Sequence, residues 1–224
     1  MPDAGPVPID VEATLLHREI LFQAWTVELA WKNLLAALVP PPILREAHRA
    51  RIGTSTRESM DSPAVQALLQ WQVQIWSLTR LMLSGGATVS RILWPLTRRD
   101  PRDARERALV DRAAELRRRW GLDPDSYLAD RDARDVFEHV EEKLLEWLEE
   151  HEGQPVQGLA IGEVSTNPEL RAECFRLLDP VTKIVYAGTK ECDLVRLFEA
   201  LRVVSEHLPP AVHRIDFDLP QALG

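Results

Sequence analysis

The sequence predicts a mainly α-helical bundle, HEPN-like in the sense given below, closed by a small C-terminal β-hairpin and a final helix. Three observations carry that expectation. Apolar residues recur at helical spacing in long segments from residue 11 to about residue 150. Those segments end at proline or glycine stops, at Pro40-Pro41-Pro42, Pro95, Gly121 and Gly153. After Gly153 the texture changes: Gln154 to Pro168 is rich in Gly, Pro and polar residues, and two β-favouring runs then flank Asp179-Pro180. Residues 1–153 are therefore expected to form the helical bundle. Residues 154–224 should form the hairpin and helix, packed on the bundle or mediating dimerisation.

The first helix should run from about Val11 to Leu38, with Asp10 as its N-cap. Its apolar residues are Leu15, Leu16, Ile20, Phe22, Trp25, Leu29, Leu34, Leu35 and Leu38. Residues 43–60 are polar, with a short helix expected at Ile43–Ala50 and a loop at Gly53–Ser59. Asp61 or Ser62 can cap the second helix, with Pro63 in its first turn. That helix is apolar almost throughout, from Val65 to Leu83, which marks a central element. Gly85-Gly86 is expected to kink or break it before Pro95. A third helix, from about Pro101 or Asp103 to Trp120, carries seven arginines interleaved with Asp103, Glu106, Asp111 and Glu115. Opposite charges at that spacing describe an ion-paired solvated face, and only Arg117–Arg119 are left without a sequence-neighbour partner. Lys190–Leu208 reads as the closing amphipathic helix.

Composition narrows the function. The chain has 224 residues, 45% of them hydrophobic, and a net charge of −8, so its surface as a whole does not track nucleic acid. A local basic pocket remains open. Two cysteines, Cys174 and Cys192, make no disulfide framework; two isolated buried thiols or a single bridge are both open, and the chain reads as cytoplasmic. No signal peptide or membrane span is visible. The seven tryptophans read first as core or interface anchors. The six histidines are scattered without His-x3-His or Cys-x2-Cys spacing, and neither a phosphate loop nor a nucleophile elbow is present. No metal and no cofactor are called for.

One segment carries candidate chemistry, the helix expected from about Asp130 to Glu150. Ala133, Val136, Phe137, Val140, Leu144, Trp147 and Leu148 gather on one stripe at 100° per residue. Arg134 and His139 lie off that stripe, and Asp135 sits one turn before His139, where it can orient the ring and favour its charged form. Arg134 offers a planar fork suited to phosphate, and Arg131 a second cation one turn before Asp135. The same residues also fit an ordinary solvated flank, with Arg134–Glu138 and Asp135–His139 as surface pairs.

Arg134-Asp135-Val-Phe-Glu-His139 resembles the motif of HEPN domains, an Arg, a polar residue directly after it, and a His after four to six intervening residues. The wider stretch from Ser90-Arg-Ile-Leu-Trp-Pro95 through Trp147 is similar to a group of uncharacterised bacterial proteins, so the resemblance covers about residues 60–150. It implies a four- or five-helix bundle that dimerises to join two motifs in one cleft, and metal-independent endoribonuclease activity of the kind found in toxin–antitoxin and antiviral defence systems. Arg134, Asp135 and His139 would then be catalytic, Arg131, Arg117 and Arg118 would contact RNA, and an antitoxin or other protein would be a partner. Asp135 departs from the more usual Asn and brings a negative charge near the phosphate. The rival expectation is a non-catalytic helical module that acts through protein partners.

Overall fold

The computed structural model describes residues 11–44, 62–95, 104–130, 135, 140–152 and 158–208. Among them lie five helices of at least eleven residues: α1 (Val11–Ala37), α2 (Pro63–Leu93), α3 (Ala104–Arg119), α4 (Val140–Glu150) and, last in the chain, α6 (Leu194–Glu206). A short helix α5 (Leu170–Glu173) and four strands, β1 (Ala160–Ile161), β2 (Arg176–Leu178), β3 (Ile184–Ala187) and β4 (Lys190–Asp193), complete the set. The protein is mainly helical with a small sheet, as expected. The proposed caps at Asp10 and Asp61, and most of the Ile43–Ala50 and Gly53–Ser59 segments, lie outside the described residues.

α1 and α2 form the principal helix pair. They run antiparallel: the Trp71 indole N–H donates to the Ala37 carbonyl at 2.7 Å, while Gly85 meets Val27 and Gln23. Only part of the expected apolar set is buried: α1 buries His17, Ile20, Leu21, Ala24, Val27, Ala30, Leu34 and Ala37, whereas Leu15, Phe22, Trp25, Leu29 and Leu35 are exposed. α1 therefore carries two apolar stripes, and the one rich in alanine is inside because small side chains let the helices approach closely.

Gly85-Gly86 does not break α2, which is continuous from Pro63 to Leu93. The two glycines sit where neighbours press on the backbone. A Cβ on Gly85 would stand 2.6 Å from Val27 Cγ2, and one on Gly86 2.7 Å from Leu197 Cδ1. In an open helix Gly→Ala stabilises by about 1 kcal/mol. Here Gly85→Ala should destabilise instead, by roughly 1–2 kcal/mol in chemical unfolding, because the β-branched Val27 cannot swing away. Gly86→Ala should be milder, since the clash is with the mobile end of Leu197.

α3 ends as its sequence predicts. Gly121 takes φ +62°, and Leu122 N–H reaches back to the Arg117 carbonyl at 2.9 Å, a Schellman closure. The chain then passes a 3-10 turn at Tyr127–Ala129 whose N-cap Ser126 accepts from Leu128 N–H. The Ser90…Pro95 segment fastens that connector. Ser90 Oγ donates to the Leu128 carbonyl, and Trp94 Nε1 donates to the Pro124 carbonyl at 3.1 Å. Its sequence signature is thus accounted for by structural anchoring.

The C-terminal part exceeds the expected hairpin. β2 and β3 pair antiparallel around Asp179-Pro180 as read from the sequence, but β4 pairs with β3 and β1 lies parallel to β2, giving the order β1-β2-β3-β4. Lys190–Asp193, expected as the start of the last helix, is strand; Asp193 is the cap, its carboxylate accepting from Val195 and Arg196 N–H at 2.8 and 3.0 Å. α6 packs on α1 and α2, and one core runs from Ile20, Val27 and Leu34 through Leu83 and Leu93 to Leu178, Val185, Leu197 and Val204. Cys174 and Cys192 are separate buried thiols, and burial pushes Cys174 above the usual thiol range.

Asp179 organises the sheet's turn. It is 1% exposed, and its carboxylate accepts from Val181, Thr182 and Val164 N–H at 2.8, 3.1 and 3.1 Å. Burial raises its pKa, but these backbone hydrogen bonds outweigh burial and hold the carboxyl below the ordinary aspartate value. No described helix is long and apolar enough to cross a membrane.

Candidate functional site

The motif helix is described at Asp135, where the backbone is helical, and from Val140 onward. Arg131, Arg134 and His139 lie outside the described residues. The structure describes the surroundings of Asp135 and of the helix from Val140 onward. α4 lays Trp147 against Phe175 of the β2 approach, with ring centroids 5.7 Å apart, and Leu144 and Ala187 complete this apolar cluster. Leu148, placed on the same stripe by the sequence, is exposed. His151, one turn on, stacks on Trp147 at 4.2 Å.

Between α4 and the β3–β4 turn lies a cleft of about 330 Å³. Its lining combines Asp135, Lys143, Glu146, Trp147 and Glu150 from the helical side with Phe175, Ala187, Gly188, Thr189 and Lys190 from the sheet. The volume is that of a small-molecule or single-nucleotide site. The turn is a two-residue hairpin, Ala187 pairing with Lys190, and Gly188 takes φ +54°, which a hairpin of this length demands. Arg171 holds the turn in place. It donates to the Gly188 carbonyl at 2.7 Å and lies over the Tyr186 ring at 4.5 Å; burial lowers its pKa.

The cleft is mixed in charge. Lys143 pairs with Glu146 at 2.7 Å, an exposed pair of small energetic weight. Two lysines face three carboxylates across the lining, so the cleft by itself does not attract phosphate. It would do so only with added cations, and Arg131 and Arg134 are the nearest in sequence.

Two arginines expected to touch RNA prove to be engaged within the protein. Arg117 donates to the Leu93 carbonyl and sits over the Trp94 ring at 5.7 Å, with its pKa lowered by burial; it joins α3 to α2. Arg118 forms a forked pair with Glu115 at 2.7–2.9 Å and stays exposed. Arg117 and Arg118 are thus not the unpaired cations that sequence spacing left them. On the other side, Lys143, Phe175, Gly188, Thr189 and Lys190 were not singled out from the sequence, because the cleft is made by segments about forty residues apart. Gly188-Thr189, directly after the β-favouring run Ile184–Tyr186, was the one local signal.

No family model, no curated protein and no solved structure among those compared matches the chain.

Proposed function

We propose that the protein is a HEPN-like RNase of bacterial stress or defence type, working in the cytoplasm, whose cleft beside α4 receives RNA. The observation that carries this reading is Asp135. It is partly buried and lines the cleft, and Arg134 and His139 are its direct neighbour and its one-turn neighbour in sequence. In the proposed reaction, His139 takes the proton of a ribose 2′-OH as that oxygen bonds to phosphorus. The bond from phosphorus to the 5′-oxygen breaks, and a proton is delivered to the leaving oxygen. The products are a 2′,3′-cyclic phosphate end and a 5′-OH end. Arg134 stabilises the charge that builds on the phosphate. Arg131, with Lys143 and Lys190 at the rim, offsets the carboxylates, and the Trp147–Phe175 floor offers apolar contact for a base. An exposed pair such as Arg118–Glu115 costs little to open, so Arg118 remains a secondary phosphate contact. Pairing of two chains and control by an antitoxin-like protein complete the proposal.

The test is incubation of purified protein with RNAs of varied sequence in excess EDTA, with the ends analysed. Cyclic-phosphate products are expected. Intact RNA throughout would hand the function to the second reading, a non-catalytic interaction module, which the exposed apolar stripe of α1 favours.

A further inference from the structure

The helical wall of the cleft carries an ammonium and a carboxylate side by side. Lys143 Nζ donates to Glu146 Oε2 at 2.7 Å, and the two side chains are 45% and 60% exposed, so both stay open to a ligand. Neither is exhausted by the pair: an ammonium has three donors, and a carboxylate about four acceptor positions. Lys143, Glu146, Trp147 and Glu150 fall within about 100° of one face of α4. The polar pair therefore stands beside the apolar floor made by Trp147, Phe175 and Ala187. Glu150 adds a second exposed carboxylate one turn beyond Glu146.

We propose that this cleft binds a guanine base, with Lys143 and Glu146 reading its Watson–Crick edge. The inference rests on the reading of the cleft as an RNA site and names the base it takes. The wall offers, in order, one donor and two acceptors: the Lys143 ammonium, then the two oxygens of Glu146. Guanine presents the complement, the O6 acceptor followed by the N1–H and N2–H donors. No other RNA base does. Adenine has one donor group followed by an acceptor, cytosine one donor group followed by two acceptors, and uracil a single donor between two acceptors. A carboxylate thus meets two adjacent donors only on guanine. The excess of carboxylates that turns phosphate away from the cleft favours this donor-rich edge, and the apolar floor takes the plane of the ring.

Calorimetric titration of the full chain with the 5′-monophosphates of guanosine, inosine, adenosine, cytidine and uridine tests the proposal. All five carry the same phosphate, so differences report the base. Guanosine monophosphate should bind about 10-fold or more tightly than the adenosine, cytidine and uridine nucleotides. Inosine monophosphate, which lacks the N2 donors, should fall between. Glu146→Gln replaces one acceptor oxygen by a donor and should abolish the preference with unchanged circular dichroism, its site being exposed. Lys143→Met should weaken guanosine monophosphate several-fold by removing the contact to O6. Equal binding of the nucleotides, no binding at millimolar concentration, or a guanine preference that survives Glu146→Gln would each overturn the proposal. Binding requires no cleavage, so the two readings fail separately. RNA left intact in EDTA beside a guanine preference would retire the nuclease alone, and cleaved RNA without that preference would retire the guanine site alone.

Discussion

His139→Ala is expected to slow RNA cleavage by about 10²–10⁴-fold, the usual contribution of a positioned general acid–base group. Arg134→Ala should cost a similar factor of roughly 10²–10³, since it removes a cation from the phosphate as charge develops. Arg134→Lys should recover part of the rate, because a lysine restores charge but not the planar fork. Asp135→Asn should keep or raise activity: it removes a negative charge from a cleft that already holds Glu146 and Glu150, and it preserves shape. Rates in EDTA from initial product formation check all four, with thermal melting to show intact folding. Equal cleavage by the parent chain and His139→Ala would reject the assignment.

Asp179→Ala should lower stability by roughly 3–4 kcal/mol, measured by urea unfolding. The carboxylate satisfies three backbone N–H groups, and its removal leaves buried donors without an acceptor. The pH dependence follows from the direction of its shift. Its folded-state pKa lies below that of the unfolded chain, so its stabilisation is complete above the unfolded value of about 3.9 and is lost as pH falls through the folded value. The parent protein should therefore lose stability on acidification below about pH 4 more steeply than Asp179→Asn.

Much of the fold is written in local pattern. The stops at Pro40 and Gly121, the Pro63 start and the Asp179-Pro180 turn each depend on residues within a few positions, and each is where the sequence locates it. The departures have tertiary causes. Gly85-Gly86 reads as a break until Val27 and Leu197 are found pressing on it. α1 has two apolar stripes, and the side chains alone do not tell which one meets α2. β4 is polar and half exposed, so Lys190–Asp193 has no β signature of its own and is strand because β3 pairs with it. Arg117 lacks an acid at helical spacing, and its partners, the Leu93 carbonyl and Trp94, are more than twenty residues away. In the cleft, Asp135 belongs to a motif legible as a string, but the sheet side that faces α4 comes from a turn about forty residues after that helix.

The central claim is that RNA occupies the cleft between α4 and the β3–β4 turn. Photo-cross-linking of a short RNA to the His139→Ala protein, followed by peptide mass spectrometry, tests it most directly. Adducts are expected on the 131–147 stretch and at Phe175 or Lys190. Adducts confined to the exposed arginines of α3, or none at all, would contradict it.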